Sequence, residues 1–82
     1  MAPTPDTETL VRYLVTSLVD MPEAVAIETK ESDDTLTFEI ALDPSDVGKV
    51  IGRQGRIIKA IRTLARAAGS SADRHVEVEV LG

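Results

Sequence analysis

Between residues 35 and 81 the chain reads strand, helix, glycine turn, helix, strand, and few folds accept that order in so short a span. Residues 35 to 42, TLTFEIAL, alternate strictly, with Leu36, Phe38, Ile40 and Leu42 on one face and Thr35, Thr37 and Glu39 on the other. Such alternation marks a strand with one face in the core. Residues 75 to 81, HVEVEVL, repeat it with Val76, Val78 and Val80 inward. Between the two strands, Asp43-Pro44-Ser45-Asp46 opens a helix, with Asp43 as cap, Pro44 at the first position and Asp46 three residues after the cap. That helix is short and stops at Gly52. A longer one follows, with Ile57, Ile58, Ile61, Leu64, Ala65 and Ala68 on its buried side, and ends at Gly69. A two-helix crossover permits the flanking strands to pair in parallel.

Upstream, residues 4 to 20 read as a helix. Thr4 caps it, Pro5 fits the first turn, and Leu10, Val11, Leu14, Val15, Leu18 and Val19 form one apolar stripe. Met21-Pro22 ends it, and residues 1 to 3 are expected to be loose. Residues 24 to 31 read as a strand with Val25 and Ile27 inward, and Ser32-Asp33-Asp34 supplies turn chemistry. The hairpin therefore spans 24 to 42, the helix–turn–helix 43 to 69 and the last strand 75 to 81. The order is α-β-β-α-α-β. It predicts an α+β fold, a three-stranded mixed sheet covered on one face by three helices, in one domain over residues 1 to 82.

Eighty-two residues with 43% apolar content support a single modest core. The chain has no cysteine, which removes disulfides, thiolate metal sites and thiol catalysis together. No apolar run approaches membrane-spanning length and the N-terminus is acidic, so the expected address is the cytoplasm. The net charge is −5, which by itself disfavours a nucleic-acid partner. Its distribution argues the other way. From Val47 to Ala72 there are six basic residues and no acid, leaving three basic and fourteen acidic residues elsewhere, +6 against −11. One face is thus attractive to an anion although the whole is acidic.

The basic segment contains the turn Gly52-Arg53-Gln54-Gly55. Gly52 suits the left-handed conformation that ends a helix, and Gly55 removes a side chain where the next begins. Without Cβ atoms a sugar-phosphate backbone can come close, and the second helix points free N–H groups at it. Lys49, Arg53, Arg56 and Lys59 add charge. Arg62 and Arg66 extend the stripe, where solubility and binding are equally good readings.

Val50-Ile51-Gly52-Arg53-Gln54-Gly55-Arg56-Ile57-Ile58-Lys59-Ala60-Ile61, with a strand on each side, resembles the signature of a KH domain. The preceding helix and strand resemble the type II topology, and the length resembles the small stand-alone bacterial KH proteins of the KhpA type. That resemblance covers nearly the whole chain. It implies single-stranded RNA binding, with Gly52, Arg53, Gln54 and Gly55 against the backbone of about four nucleotides. Ile51 would be the residue touching a base, and Lys49, Arg56 and Lys59 the flanking cations. It further implies a homodimer, or a heterodimer with a larger Jag-like KH protein, acting as an RNA chaperone or post-transcriptional regulator linked to cell elongation and wall synthesis. Single-stranded DNA binding stays open, as does an adaptor role. No metal or cofactor is implied.

Other readings fit less well. With Tyr13 and Phe38 as its only aromatics the chain lacks the stacking platforms of an RRM or OB-fold. Phe38 is expected in the core, and Tyr13 to pack with its hydroxyl in water. A P-loop needs lysine after its second glycine, whereas Arg56-Ile57 follow Gly55. A DNA-reading second helix would carry polar residues where Ile57, Ile58 and Ile61 stand. The lone His75 opens a strand among acids with no nucleophile near it, so no enzyme is expected.

Overall fold

The computed structural model describes residues 7–69 and 75–81. Helix α1 (Thr7–Leu18) is followed by a 3₁₀ turn at Pro22–Ala24, strands β1 (Ala26–Ser32) and β2 (Thr35–Ala41), and a second 3₁₀ turn at Pro44–Asp46. Then come α2 (Val47–Ile51), a third 3₁₀ turn (Arg53–Gly55), α3 (Arg56–Gly69) and β3 (His75–Leu81). This is the expected α+β order. The proposed Thr4 cap, Pro5, and the loop through 70–73 lie outside the described residues.

The strand order is β1-β2-β3. β1 and β2 are antiparallel with Ala26 opposite Ala41, and Asp33-Asp34 closes the hairpin, Asp33 at a φ of 38°. β2 and β3 run parallel, Thr35 beside His75 and Phe38 beside Val78. Alternation therefore sends Phe38, Ile40, Val76 and Val78 to one face, where they are buried with Val11 and Val15 of α1, Val50 of α2 and Ile58, Ile61 and Ala65 of α3. Burying the side chain of an aliphatic residue in such a cluster stabilises the fold by about 1.5–3 kcal/mol.

Among the described residues no helix lies over the other sheet face. Register puts Glu28, Glu39 and Glu79 side by side across the three strands, with Glu77 one step along. The same face carries Lys30. Its ammonium lies 3.2 Å from Glu39 and 3.8 Å from Glu28. The hydrogen bond to Glu39, reinforced by the charges around it, raises the lysine above its ordinary range.

Two apolar positions differ from the helical pattern. Leu64 is 48% exposed and Leu18 37%, because α1 and α3 leave a shallow groove of ≈ 400 Å³ between them that nothing covers among the described residues. Tyr13 stands on its rim, 67% exposed, more open than a packed ring would be.

Candidate nucleic-acid interface

Asp43 begins the helical segment as expected. Its carboxylate accepts the Ser45 N–H at 2.9 Å and the Ser45 hydroxyl at 2.6 Å, and these bonds hold it below the usual carboxylate range. Asp46 does something the local pattern did not suggest. Instead of closing a capping box on its own helix, it is fully buried and reaches back across the chain. Its two oxygens accept the backbone N–H groups of Asp20 and Met21, each at 3.1 Å. Lys49 Nζ donates to the same carboxylate at 3.1 Å and pairs with Asp20 at 3.2 Å. Burial pushes the Asp46 carboxyl up, but the two N–H groups and the ammonium outweigh it and hold it low. The hydrogen bonds to Asp46 and Asp20 in turn raise Lys49. The cation assigned to a phosphate is therefore engaged with two carboxylates of its own chain, the buried Asp46 and the exposed Asp20.

Past Val50, which is in the core, α2 stops at Gly52, whose N–H donates to Gly48 O at 2.8 Å. Gly52 has φ 77° and ψ 171°. The φ is positive as expected, but the ψ is not left-handed helical; Gln54 takes that conformation instead, at φ 58° and ψ 24°. The cause is the 3₁₀ turn Arg53–Gly55, closed by Gly55 N–H to Gly52 O at 3.1 Å and Arg56 N–H to Arg53 O. Neither bond uses the N–H of Arg53 or Gln54. Gly55 also has a positive φ, 72°.

The two glycines are glycine for different reasons. A Cβ on Gly52 would lie 2.6 Å from Ile57 Cγ1 and 2.8 Å from Ile57 Cβ, so the missing side chain makes room for the chain's own isoleucine. On Gly55 the nearest atom would be Ile58 Cγ2 at an ordinary 3.9 Å. Only there does the absent Cβ leave open approach for a ligand. Ile51 and Ile57 are half-buried against the core and Ile58 is inside it.

Arg53, Arg56 and Lys59 are exposed around the start of α3. Among the described residues no carboxylate pairs with them; Arg56 reaches only the Gln54 side-chain carbonyl at 3.4 Å. Arg62 and Arg66 are placed differently. Arg62 Nε donates to Val78 O and Arg66 Nε to Val76 O, both at 3.3 Å, so the two guanidiniums cover the free edge of β3. Arg66 also lies 3.8 Å from Glu77. Of the expected cations the structure thus gathers three at the turn, pairs Lys49 with Asp46 and Asp20, and assigns the last two arginines to the sheet edge. Sequence spacing could not reveal the Asp46 clamp, because its backbone partners are 25 and 26 residues away.

His75 is exposed at the start of β3, its N–H donating to Asp34 O at 2.7 Å. Among the described residues no cluster of three or more histidine, cysteine or acidic side chains could hold a metal, and no helix is long and apolar enough to cross a membrane.

A helix and two strands leading into a helix–GxxG–helix unit and a parallel third strand define a type II KH domain. Residues 8–80 match the family described as "KhpA/KhpB, KH domain". The chain is 46% identical over 74 residues to the RNA-binding protein KhpA of Listeria monocytogenes, covering 90% of this chain and 97% of that one. It is 41% identical over 73 residues to the RNA-binding protein KhpA of Bacillus subtilis, covering 89% and 90%. The chain belongs to the KhpA/KhpB KH-domain family. Among solved structures it resembles Era of Aquifex aeolicus bound to GDP and AlF4⁻, with a TM-score of 0.62 and 24% identity over 90% of this chain. Era in complex with MgGDPNP and a piece of 16S ribosomal RNA gives 0.61 and 22% over 98%. The chain spans 29% and 33% of those two proteins, and the likeness concerns the fold.

Proposed function

We propose that this protein binds single-stranded RNA, without catalysis, on the Gly52–Gly55 turn and the start of α3. It acts in the cytoplasm as an RNA chaperone or post-transcriptional regulator. The observation that carries this reading is the concentration at one turn of three exposed cations, Arg53, Arg56 and Lys59, that lack acidic partners among the described residues. Beside them lie the open Cβ position of Gly55 and the N–H groups that start a 14-residue helix. The name "RNA-binding protein" carried by relatives covering about nine-tenths of the chain supports it.

A grip of about four nucleotides is weak, so two linked grips raise avidity without new contacts. The uncovered α1–α3 groove supports self-association. Arg56 and Ile57, the first residues past the turn, line it together with Tyr13 and Leu64, so a second copy seated there brings two turns close together. A protein that stays monomeric in sedimentation at micromolar concentration would instead point to a larger KH partner on that groove.

The test is a titration of a fluorescent single-stranded RNA pool at several salt concentrations against wild type and Arg53→Asp/Gln54→Asp. Wild-type binding should fall with a log–log salt slope of about −2 to −3, at about −0.7 per phosphate neutralised. The double variant should keep its circular-dichroism melt and lose binding. Equal binding by both proteins would remove the turn as the site.

A further inference from the structure

We propose that Asp46 is the positioning residue of the RNA-binding turn, setting its angle through a clamp on the chain that joins α1 to β1. The inference rests on the reading of Gly52–Gly55 as the RNA site. α2 has only five residues, too few for its own hydrogen bonds to fix its direction. Its orientation therefore depends on where its ends and its buried face are held. Val50 anchors the buried face. Asp46, immediately before the first helical residue, anchors the start through Asp20 and Met21. Gly52 follows six positions later, about 9 Å along the axis. A tilt of α2 about Val50 is thus passed directly to Gly52 and to the Ile57 side chain packed under it.

The chemistry suits that task. Two N–H groups and one ammonium approach a single planar carboxylate, which leaves it little rotational freedom and no exposed atom. Hydrogen bonds to a charged acceptor are stronger than neutral ones, and three of them converge here, each at 3.1 Å. An amide at this position offers one acceptor oxygen: kept at the Oδ1 position it leaves the NH₂ facing the Met21 N–H donor, and flipped it turns the NH₂ toward the Asp20 N–H and the Lys49 ammonium. Lys49, occupied by this clamp, belongs with the positioning group rather than with the phosphate contacts.

Asp46→Asn tests the proposal with little change in volume. At a temperature where a circular-dichroism melt shows the variant folded, single-stranded RNA should bind about fivefold more weakly or worse. The amide resonances of Gly52 and Gly55 in the RNA-free variant should shift, which a distant structural lesion would not produce. Unchanged affinity with unmoved Gly52 and Gly55 resonances overturns the assignment. If the variant does not fold, hydrogen exchange on the wild type decides. Coupling is reciprocal, so bound RNA should slow exchange of the Asp20 and Met21 amides, although neither is at the turn. No change in their protection overturns the proposal equally. Wild-type protein that binds no RNA sinks the reading of the turn itself, and the glycine resonances of the two RNA-free proteins still decide whether Asp46 sets its geometry.

Discussion

Gly48, Gly52 and Gly55 stand close together in the chain, and each answers to a different constraint. Gly52 combines a positive φ with a Cβ position already filled by Ile57. Gly52→Ala should destabilise the fold by about 3 kcal/mol in a urea titration, from backbone strain and the displacement of Ile57 together. At Gly55 only the φ of 72° is at stake, and alanine should cost about 1 kcal/mol. Gly48 sits inside α2, and a Cβ added there would meet nothing within 4 Å. Gly48→Ala should therefore stabilise the protein by about 0.5–1 kcal/mol, since glycine is a poor helix former. A urea midpoint that falls in Gly48→Ala would contradict this account. The three residues look alike in the sequence, and only the neighbours brought by the fold separate them.

At the scale of elements, β2, β3 and, apart from Leu64, α3 were legible because each carries its own periodicity. The alternation in β2 and β3 and the stripe on α3 contain the burial pattern within themselves, as does the Pro-bearing start at Asp43. The inter-element bonds were not legible. Asp46 meets α1's C-terminal linker, Lys49 follows it, and Arg62 and Arg66 turn onto β3, each through a partner distant in the chain. The joint between α1 and α2 should show in the pH dependence of stability. Asp43 and Asp46 are held below the usual carboxylate range, so their contribution is present above about pH 4 and is lost as pH falls through their folded values. Lys49 is raised, so its contribution is present below about pH 10 and is lost as pH climbs past its folded value. Urea midpoints measured across pH should fall at both ends. Asp46→Asn, which has no carboxylate there to protonate, should show a shallower acid limb. The arginine caps on β3 are worth less: Arg62→Ala should cost about 1 kcal/mol, the scale of one lost hydrogen bond.

At the scale of the whole molecule, charge is divided between two faces, the glutamates of the open sheet behind and the cations of the turn in front. The molecule measures 37 × 27 × 19 Å. At about 0.01 M salt the Debye length is about 30 Å, and an approaching strand feels the net charge of −5 as repulsion. At about 0.15 M it shrinks to about 8 Å, and the strand feels only the face it meets. The association rate for single-stranded RNA, followed by stopped flow, should therefore rise and then fall as salt increases. A rate that only falls would mean that the basic face dominates at every distance. The glutamate row has a further effect once RNA is bound. On the proposed site, a strand held at the turn would meet mainly carboxylates, with Lys30 paired among them, at the back of the protein, which disfavours wrapping. Each copy would then occupy a short stretch of single-stranded RNA at the proposed site and leave the adjacent nucleotides uncovered.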